Sequence, residues 1–316
     1  SPPEIFAFTE SIFNGKPKLP EVTAAGNDKT QAWAMYRSET PIVEAELNYT
    51  TDTGPWEFRY WVSSGAQIDA SGKKVTAAIP PESTVYYFNI YDSRGMLVSS
   101  EHAEHVPTLQ AASKRRVLLD ENYDGRAVGR VPIGAVGIYA DKGSSIHVSD
   151  DAALSGKNSL KFQDAPGLAK GWEPFREFNF KGKQTLTNGT VTLSFAIMNN
   201  ASKPSSLTVE ARDYSEKQYQ AGPLIEFLAD GKVKAGGNEI AVFVPVKWVR
   251  IKMVFRPAAA EKKFTLEISP VEGKTQAFEI PYAKGFNGLH WLGFVTGNAG
   301  EAAIYIDDLR LTQDAE

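Results

Sequence analysis

The dominant pattern in the chain is an alternation of apolar and polar residues over short segments. Residues 42–50 (IVEAELNYT) alternate in this way, and the segment that follows, TDTGP, is typical of a turn. Residues 56–63 (WEFRYWVS) resume the alternation, so every second residue from Trp56 to Val62 is expected on one face of a strand. The pattern therefore predicts β-structure in the first third of the chain.

The same pattern continues through residues 1–104. Further strands are predicted at residues 73–79, 84–91 and 96–101, and a turn at Asp92–Gly95 separates the last two. Short strands at this spacing are typical of a β-sandwich of the immunoglobulin or fibronectin type. Residues 1–104 are therefore interpreted as one such domain.

Residues 105–117 interrupt this periodicity and are interpreted as a linker. Their basic run Lys114-Arg115-Arg116 is of a kind that usually forms a solvated face. Strand patterns resume over residues 118–316, and about a dozen strands without an amphipathic helix or a repeat indicate a double-sheet jelly roll. The clearest of them are residues 145–150, 158–164, 176–182, 189–200, 207–214, 238–246, 247–256, 263–270, 276–282, 290–297 and 302–312. The predicted fold class is all-β, with an immunoglobulin-like β-sandwich followed by a jelly roll.

The composition excludes several functional classes. The 316 residues carry 34 Lys+Arg and 38 Asp+Glu, a formal charge of −4, which argues against a nucleic-acid-binding protein. Mean hydropathy is −0.29, and no apolar run approaches the length of a membrane helix, about 20 residues. The N-terminal segment SPPEIFAFTE lacks the pattern of a signal peptide. With no cysteine, disulfides, thiolate metal sites and cysteine nucleophiles are excluded, and four histidines argue against an imidazole-rich metal site.

Three segments of the second domain carry a family resemblance. They are residues 118–134 (LLDENYDGRAVGRVPIG), 148–167 (VSDDAALSGKNSLKFQDAPG) and 289–311 (LHWLGFVTGNAGEAAIYIDDLRL). Together they resemble concanavalin A-like (laminin G-type) jelly rolls, which are appended to exported proteins of environmental bacteria, and carbohydrate-binding modules end similarly. The resemblance covers residues 118–316 and implies a concanavalin A-like jelly roll.

The first domain resembles a second kind of module. Residues 41–61 (PIVEAELNYTTDTGPWEFRYW) and the turn in residues 91–102 (YDSRGMLVSSEH) are similar to immunoglobulin-like modules that follow hydrolase domains in large secreted bacterial enzymes. That resemblance implies a non-catalytic accessory role and names no ligand.

The jelly-roll resemblance also implies a structural calcium ion that ties the first strand to the last. Calcium takes six to eight oxygen ligands in flexible geometry, which carboxylates and backbone carbonyls can supply. The matching positions are Asp120, Glu121, Asn122 and Asp124 in the opening segment, the turn from Ser155 to Lys157, and Asp307 and Asp308 in the last strand. Consecutive strand residues face opposite ways, so at most one of the last two is expected to ligate through its side chain. The alternative is that these are acidic turn residues in water.

A carbohydrate-binding face is the second candidate site. Sugars present apolar C–H faces that stack on aromatic rings, and hydroxyls that pair with charged or amide side chains. In residues 207–214 the alternation places Glu210 and Arg212 on the open face of a strand. The candidate ligand-binding residues are Trp172, Glu173, Arg176, Glu210, Arg212, Asp213, Tyr214, Tyr219, His290 and Trp291. The alternative is that the tryptophans belong to the core, as is usual in sandwiches.

Catalytic motifs known on this fold match poorly. The carboxylate strand of laminarinase-like glycosidases has its nearest match at Glu267 to Glu272, but Ser269 replaces the middle Asp, and Pro270 cannot donate to a sheet ladder. The segment PVEGK is better interpreted as a hairpin turn. An alginate-lyase-like strand is matched only in its first half, by Tyr282-Ala-Lys284.

A short acidic and imidazole motif is also weak. His102-Ala-Glu104-His105 lacks the spacing of a zinc-binding helix and is interpreted as solvated linker.

Three functional hypotheses follow. The first is a non-catalytic, carbohydrate-binding accessory region of a larger secreted polysaccharide-active enzyme, with a polysaccharide and an upstream catalytic domain as partners. The second is a glycosidase or lyase that acts in the jelly-roll groove, and the third is a structural spacer or protein-interaction module. The expected location is secreted, periplasmic or at the cell surface, with no nucleic-acid partner and no membrane insertion.

Overall fold

The computed structural model describes residues 2–107, 115–136, 142–297 and 300–315. The chain divides into two compact units, residues 1–127 and 128–316. About half of the residues lie in strands, which pair in antiparallel sheets, so the predicted all-β fold class of β-sandwich and jelly roll is confirmed.

The described part of the first unit contains a short N-terminal helix and ten strands. The elements are α1 (Pro3–Phe13), β1 (Glu21–Asn27), β2 (Gln31–Arg37), β3 (Ile42–Thr50), β4 (Val62–Gly65), β5 (Gln67–Asp69), β6 (Lys74–Ala78), β7 (Val85–Asp92), β8 (Leu97–Ser99), β9 (Ala103–Glu104) and β10 (Arg115–Glu121). One sheet has the order β1-β2-β6-β5, and the other has the order β4-β3-β7-β8 with β9 beside β7.

The core of the first unit lies between these two sheets. Ala34 and Val75 contribute from the first sheet, and Leu47 and Phe88 from the second, all fully buried. Val117 of β10 packs into the same core. The alternation along β3 and β7 therefore has the expected consequence, because apolar side chains on one face of each strand leave water together.

The structure corrects one predicted strand. Residues 56–63 do not form a strand: Trp56–Phe58 is a turn of 3₁₀ helix that follows Pro55, and the strand begins only at Val62. Local contacts stabilise this turn, since Arg59 Nε donates to the carbonyl of Gly54 at 3.0 Å. The guanidinium of Arg59 also lies 4.7 Å from the centroid of the Trp56 ring. The two-residue alternation of this segment therefore does not match its backbone, because a 3₁₀ helix has about three residues per turn.

Strands β1 and β2 were not predicted from the sequence, and neither were two further features of the first unit. Helix α1 keeps every one of its residues partly or fully exposed, including Phe6 and Phe13. Strand β10 begins at Arg115, within the predicted linker, most of which (residues 108–114) lies outside the described residues. Where the structure describes the chain, none of its helices is both long and apolar enough to span a membrane.

The second unit contains fourteen strands in its described part. They are β11 (Ala135–Val136), β12 (Ser145–Ser149), β13 (Ser159–Asp164), β14 (Phe175–Asn179), β15 (Thr190–Asn199), β16 (Leu207–Asp213), β17 (Gln220–Phe227), β18 (Lys232–Ala235), β19 (Asn238–Val242), β20 (Val249–Phe255), β21 (Lys263–Pro270), β22 (Gln276–Pro281), β23 (Trp291–Thr296) and β24 (Ala302–Asp314), with a 3₁₀ turn at Gly182–Gln184. One sheet has the order β12-β13-β24-β15-β20-β21-β22, and the other has the order β11-β14-β23-β16-β17-β18-β19.

Phenylalanine rings join the two sheets of the second unit. Phe195 of β15 packs edge-to-face on Phe227 of β17 and on Phe294 of β23, with centroid distances of 6.2 and 5.4 Å. Phe178 of β14 packs on Phe294 at 6.4 Å in the same manner. Edge-to-face pairs of buried rings add to the stabilisation from their burial. The inward faces of β14, β16, β17 and β23 are thereby fixed. Side chains such as Glu210 and Trp291 lie on the opposite faces, where they are largely buried.

Candidate functional site

The outward face of strands β14, β23 and β16 carries the polar and aromatic residues of the candidate site. In β16 the side chains of Leu207, Val209 and Ala211 are buried in the core, as the alternation predicted. Arg212 pairs with Trp291 of β23, and Glu210 pairs with Gly293 of the same strand. On the other side of β23, the pairs are Asn179 with Trp291 and Glu177 with Gly293. Because side chains of cross-strand pairs point to the same face, these strands bring carboxylates, a guanidinium and an indole together.

Arg212 is at the centre of this group. Its guanidinium lies between two rings, 4.3 Å from the centroid of Trp291 and 4.5 Å from that of Tyr219. Its Nε and Nη2 atoms donate to one carboxylate oxygen of Glu210 at 2.9 and 2.6 Å, and Nη1 donates to the Tyr214 hydroxyl at 3.4 Å. We call Glu177, Glu210, Arg212, Tyr214, Tyr219 and Trp291 the Arg212 cluster.

The charge of Arg212 is stabilised within the cluster. Burial by itself lowers the pKa of the guanidinium, but the hydrogen bonds with Glu210 and Tyr214 and the negative charge of Glu210 outweigh it and raise the pKa. A guanidinium that stacks on rings and pairs with a carboxylate is rigid, so the polar atoms of the cluster are preorganised.

A hydrogen bond with Glu177 and contact with Gly293 fix the indole of Trp291. Its Nε1 donates to Glu177 Oε2 at 2.7 Å, and Asn179 donates to the other oxygen of Glu177 at 3.1 Å. The ring covers Gly293, where a Cβ atom would overlap it. Glycine at this position is therefore what allows the indole to lie flat on β23 under Arg212.

Replacing Gly293 with alanine is expected to push the indole off the sheet. The displaced ring loses its hydrogen bond with Glu177 and its contact with Arg212, and we expect the unfolding free energy to fall by about 1–3 kcal/mol in urea titrations. Gly171→Ala is the matched control, because among the described residues a Cβ there meets open space. Equal stability of the two variants would contradict this packing.

The two tyrosines give the cluster its exposed aromatic surface. Tyr214 and Tyr219 flank the loop between β16 and β17, with 47% and 41% of their surface exposed. Their rings lie 5.7 Å apart at an angle of 47°. A β-bulge shapes this loop, since the pairing of β16 with β17 shifts between Glu210 and Arg212. Bulges of this kind occur beside functional sites, where they redirect a side chain.

Asp213 positions the cluster from the interior. Its fully buried carboxylate accepts the backbone N–H of Ser215 at 2.8 Å on one oxygen, and of Asn287 and Gly288 at 2.7 and 3.0 Å on the other. His290 Nδ1 lies 3.1 Å from Asp213 Oδ1. Burial would raise the pKa of Asp213, but these hydrogen bonds and the neighbouring imidazole lower it. Asp213 therefore holds the loop and the imidazole in place.

The structure does not bring Trp172, Glu173 and Arg176 to the Arg212 cluster. They lie near the start of β14, where the Pro174 carbonyl accepts the backbone N–H of Thr296, at the opposite ends of β14 and β23 from Asn179 and Trp291. Trp172 is 57% exposed, whereas Glu173 and Arg176 are buried. The guanidinium of Arg176 faces inward, 4.6 Å from the centroid of the Phe178 ring.

Glu177 is a member of the cluster that sequence reasoning missed. Its signal was the alternation of Phe175, Glu177 and Asn179 within β14, which places it on the outward face. The pairing of β14 with β23, which brings it to Trp291, is not readable from the sequence.

Comparisons with known proteins give no family assignment. No family model matches the chain, and no curated protein matches it. Among solved structures, it is similar to the endo-β-1,4-glucuronan lyase of the fungus Trichoderma reesei, with 9% identity and a TM-score of 0.42 over 60% of this chain and 94% of that one. It is also similar to the CBM22-1 xylan-binding domain from Paenibacillus barcinonensis, with 16% identity and a TM-score of 0.35 over 63% and 96%. A β-glucanase catalytic domain from Podospora anserina gives 12% identity and a TM-score of 0.40 over 58% and 84%. Likenesses at this level decide nothing about function.

The acidic residues proposed for calcium are hydrogen-bonded within their own units. In the second unit, Asp307 Oδ2 accepts the backbone N–H of Leu154 and Ser155 at 2.8 and 3.1 Å, and Asp308 Oδ1 accepts the Ser155 hydroxyl at 2.6 Å. Lys157 is exposed in the following turn. Calcium would have to displace these hydrogen bonds. Across the described ranges, no group of three or more His, Cys, Asp or Glu side chains is placed to hold a metal ion.

In the first unit, the remaining calcium candidates have other contacts. Asp120 accepts the hydroxyl of Tyr49 at 2.6 Å. Glu121 contributes to the negative charge around Arg126, and the backbone N–H of Asp124 donates to the Asn122 side chain at 3.3 Å. The calcium ion stays a prediction, and it is tested by comparing melting temperatures in CaCl₂ and in EDTA.

Asp307 gives a pH-dependent prediction for the metal-free protein. Burial raises its pKa to about 6, although the N–H groups of Ser155 and Leu154 oppose the shift. The unfolded pKa is about 3.9, so the folded state holds the proton more tightly, and this stabilisation is present below about pH 4 and lost as the pH rises to 6. We expect it to amount to about 2 kcal/mol between pH 4 and pH 7. Urea unfolding of Asp307→Asn across this range should lack that decrease, and an unchanged pH slope would contradict the assignment.

The segments compared with glycosidase and lyase motifs have structural roles. Glu267 pairs with Lys252 at 3.2 Å on the other sheet of the second unit, and residues 271–275 form the predicted turn between β21 and β22. The hydroxyl of Tyr282 donates to the carbonyl of Arg256 at 3.0 Å.

Proposed function

We propose that the chain is a carbohydrate-binding accessory region and that the Arg212 cluster of the second unit is its polysaccharide site. The observation that carries this proposal is the packing of Arg212 against the rings of Trp291 and Tyr219, with Tyr214 beside them. Both tyrosines are half-exposed. Five of the ten predicted ligand-binding residues meet there: Glu210, Arg212, Tyr214, Tyr219 and Trp291.

The tyrosines supply the apolar part of the binding energy. A pyranose ring has C–H faces that lose water when they stack on an aromatic ring, and aromatic side chains give large contact areas at low entropic cost. Tyr214 and Tyr219 are held by Arg212 through a hydrogen bond and a cation–π contact. Their rings are therefore ordered before the sugar arrives, and the entropic cost of binding is reduced.

The charged side chains supply hydrogen bonds and orientation. The carboxylates of Glu210 and Glu177 accept hydrogen bonds, and the guanidinium of Arg212 donates them, so both kinds of partner for sugar hydroxyls are present. Hydrogen bonds to charged groups are the stronger ones, which favours a defined sugar orientation over loose adhesion.

Affinity gel electrophoresis tests the proposal directly. The full chain is run in native gels that contain xylan, barley β-glucan, laminarin, alginate or polygalacturonate, and at least one polymer is expected to retard it. The retardation should be strongly weakened in the Tyr214→Ala/Tyr219→Ala variant and unchanged in Glu216→Ala, which changes an exposed residue of the same loop. No retardation by any of the polymers would leave the spacer hypothesis in its place.

A catalytic function is the second candidate, favoured by the pairing of His290 with Asp213. His290 Nδ1 lies 3.1 Å from Asp213 Oδ1 and 3.3 Å from its hydrogen-bond partner, the Gly288 carbonyl, and these contacts on Nδ1 orient Nε2 for proton transfer, as in a general base. This candidate predicts that incubation with one of the same polymers releases reducing ends or unsaturated products. The His290→Gln variant should then abolish product formation and leave gel retardation unchanged.

The first unit is proposed to be an immunoglobulin-like accessory module of a secreted, polysaccharide-active enzyme whose catalytic domain lies upstream. Its strand order is that of an immunoglobulin-type sandwich, and its core is self-contained. A genomic sequence that encodes a hydrolase or lyase domain before this chain would support the proposal, and an unrelated upstream segment would oppose it.

A further inference from the structure

An aromatic cluster lies on the outer face of the second sheet of the first unit, away from its core. It consists of Trp56, Arg59, Trp61, Tyr87 and His102, and we call it the Trp56 cluster. The core of the unit is formed by other residues on the inner faces of the sheets. The Trp56 cluster is thus additional to the core.

Local structure places each ring on this face. Tyr87 lies between the buried residues Tyr86 and Phe88 of β7, and Trp61 precedes the buried Val62 of β4. Because side chains alternate along a strand, Tyr87 and Trp61 point outward. The 3₁₀ turn carries Trp56 to the same face, and His102 reaches it from the segment between β8 and β9. The sequence had placed this histidine in a solvated linker.

The rings hold one another in a fixed arrangement. The imidazole of His102 lies 4.6 Å from Tyr87, 5.0 Å from Trp56 and 5.9 Å from Trp61, measured between centroids. Trp56 and Trp61 lie 5.7 Å apart, and Arg59 packs on Trp56 at 4.7 Å. Nevertheless 47% of the surface of Trp56 is exposed. A large ring that is both immobilised and open to water is characteristic of a binding surface rather than of packing.

The chemistry around the rings selects one class of ligand. The centre of the cluster is filled by His102, and Arg59 already lies over Trp56, so the cluster cannot enclose a cation as an aromatic cage does. Polar groups adjoin it on the same face, where the hydroxyl of Ser63 donates to the Asn48 side chain at 2.6 Å and Asn48 is the cross-strand partner of Tyr87. Asn48 is itself buried, so the part of this surface open to a ligand is the half-exposed indole of Trp56, which matches the apolar C–H face of a sugar.

We propose that the Trp56 cluster is a second carbohydrate-binding site, in which a pyranose ring stacks on Trp56. The proposal rests on the proposed function in taking the ligand to be a polysaccharide. The Trp56 site differs from the Arg212 site in location, since all residues of the Trp56 cluster belong to the first unit. Two separate sites on one chain would raise the apparent affinity for a repeating polymer wherever both are engaged.

Affinity electrophoresis of the full chain separates the two sites. The variants are Trp56→Ala, Trp56→Phe as the conservative change, and Glu57→Ala as the control at the neighbouring exposed residue. Each is made in the wild-type chain and in the Tyr214→Ala/Tyr219→Ala background, with the melting temperature as the check of folding. The gels contain xylan, barley β-glucan or laminarin.

The proposal predicts that Trp56→Ala weakens retardation about 5–10-fold, in keeping with the loss of one exposed stacking ring, while Trp56→Phe keeps most of it. It also predicts that the double-tyrosine variant keeps a residual retardation that Trp56→Ala removes. Unchanged retardation of Trp56→Ala in both backgrounds overturns the second site and leaves the Arg212 site intact. Sensitivity to Trp56→Ala without sensitivity to the tyrosine changes overturns the Arg212 site instead, and absence of retardation overturns both.

Discussion

Replacing Arg126 with alanine is expected to destabilise the first unit by about 3–5 kcal/mol, the largest effect on stability that the structure predicts. The Arg126 guanidinium donates to Glu44 at 3.2 Å and to Glu46, and both carboxylates are buried. Glu46 also accepts hydrogen bonds from Asn89 and Tyr91, each at 3.1 Å. Without the guanidinium, two buried carboxylates would face each other with no cation between them.

The electrostatics of this group support the expected size of the effect. Burial alone lowers the pKa of Arg126, yet the negative charges of Glu46, Glu121 and Glu44 reverse the shift and raise it. The same Glu46 charge, added to burial, raises the pKa of the Tyr91 hydroxyl. The ion pairs thus stabilise a charged guanidinium in a place where an unpaired one would be unfavourable.

Hydrogen exchange of individual backbone amides measures the stability of the first unit separately from that of the second. The amides of β3 and β7 should exchange at least 100-fold faster in Arg126→Ala than in the wild type, as a loss of about 3 kcal/mol implies. Arg37→Ala is the matched control, since Arg37 pairs with Glu21 on the surface and such pairs contribute about 0–1 kcal/mol. Exchange rates in Arg126→Ala that match those in Arg37→Ala would show that the buried ion pairs contribute little.

The second large effect concerns ligand binding. Truncating both tyrosines, in Tyr214→Ala/Tyr219→Ala, is expected to weaken the affinity for the retarding polysaccharide about 30–100-fold, or about 2–3 kcal/mol. The variant removes the exposed rings of the Arg212 cluster and leaves the ion pair of Arg212 with Glu210 in place. Titration calorimetry with an oligosaccharide of the polymer measures the change.

Two comparisons sharpen that titration. Glu216→Ala should bind within a factor of two of the wild type, because it changes the same loop without removing a ring. Arg212→Ala should lose both affinity and stability. The largely buried carboxylate of Glu210 would then have no ion-pair partner, and the Trp291 ring would lose its contact with the guanidinium. An affinity of the double-tyrosine variant within threefold of wild type would exclude the tyrosines as the stacking surface.

The sequence predicted strands where alternation and burial agree. Strand β21 has the predicted bounds 263–270, because it alternates cleanly between a core and an open face. Strand β3 has the predicted bounds 42–50, because its sequence alternates, although the polar residues of its outer face are buried as well. The prediction failed at residues 56–63, where a 3₁₀ turn that follows Pro55, with a cation–π contact between Arg59 and Trp56, replaces the start of the strand despite the alternation. It missed β17, which contains Gly222 and Pro223. In the structure a bulge accommodates that pair.

The candidate site was predictable only in part, for a physical reason. Arg212, Tyr214 and Tyr219 are near in sequence, so one strand and its loop bring them together. Trp291 and Glu177 join them through the strand order β14-β23-β16, which depends on long-range pairing. Trp172 and Arg176 belong to a polar-aromatic stretch of suitable chemistry, but they lie at the far end of those strands, and the sequence does not show which end of a strand faces the cluster.

The most direct test of the account is a nuclear magnetic resonance titration of the ¹⁵N-labelled full chain with an oligosaccharide of the retarding polymer. The indole N–H of Trp291, which donates to Glu177 beside Arg212, is the reporter. The account predicts that its signal shifts progressively and saturates with the affinity measured by calorimetry, while the indole signals of Trp33 and Trp248 stay in place. Saturation of binding with no shift at Trp291 would contradict the assignment of the Arg212 cluster as the polysaccharide site.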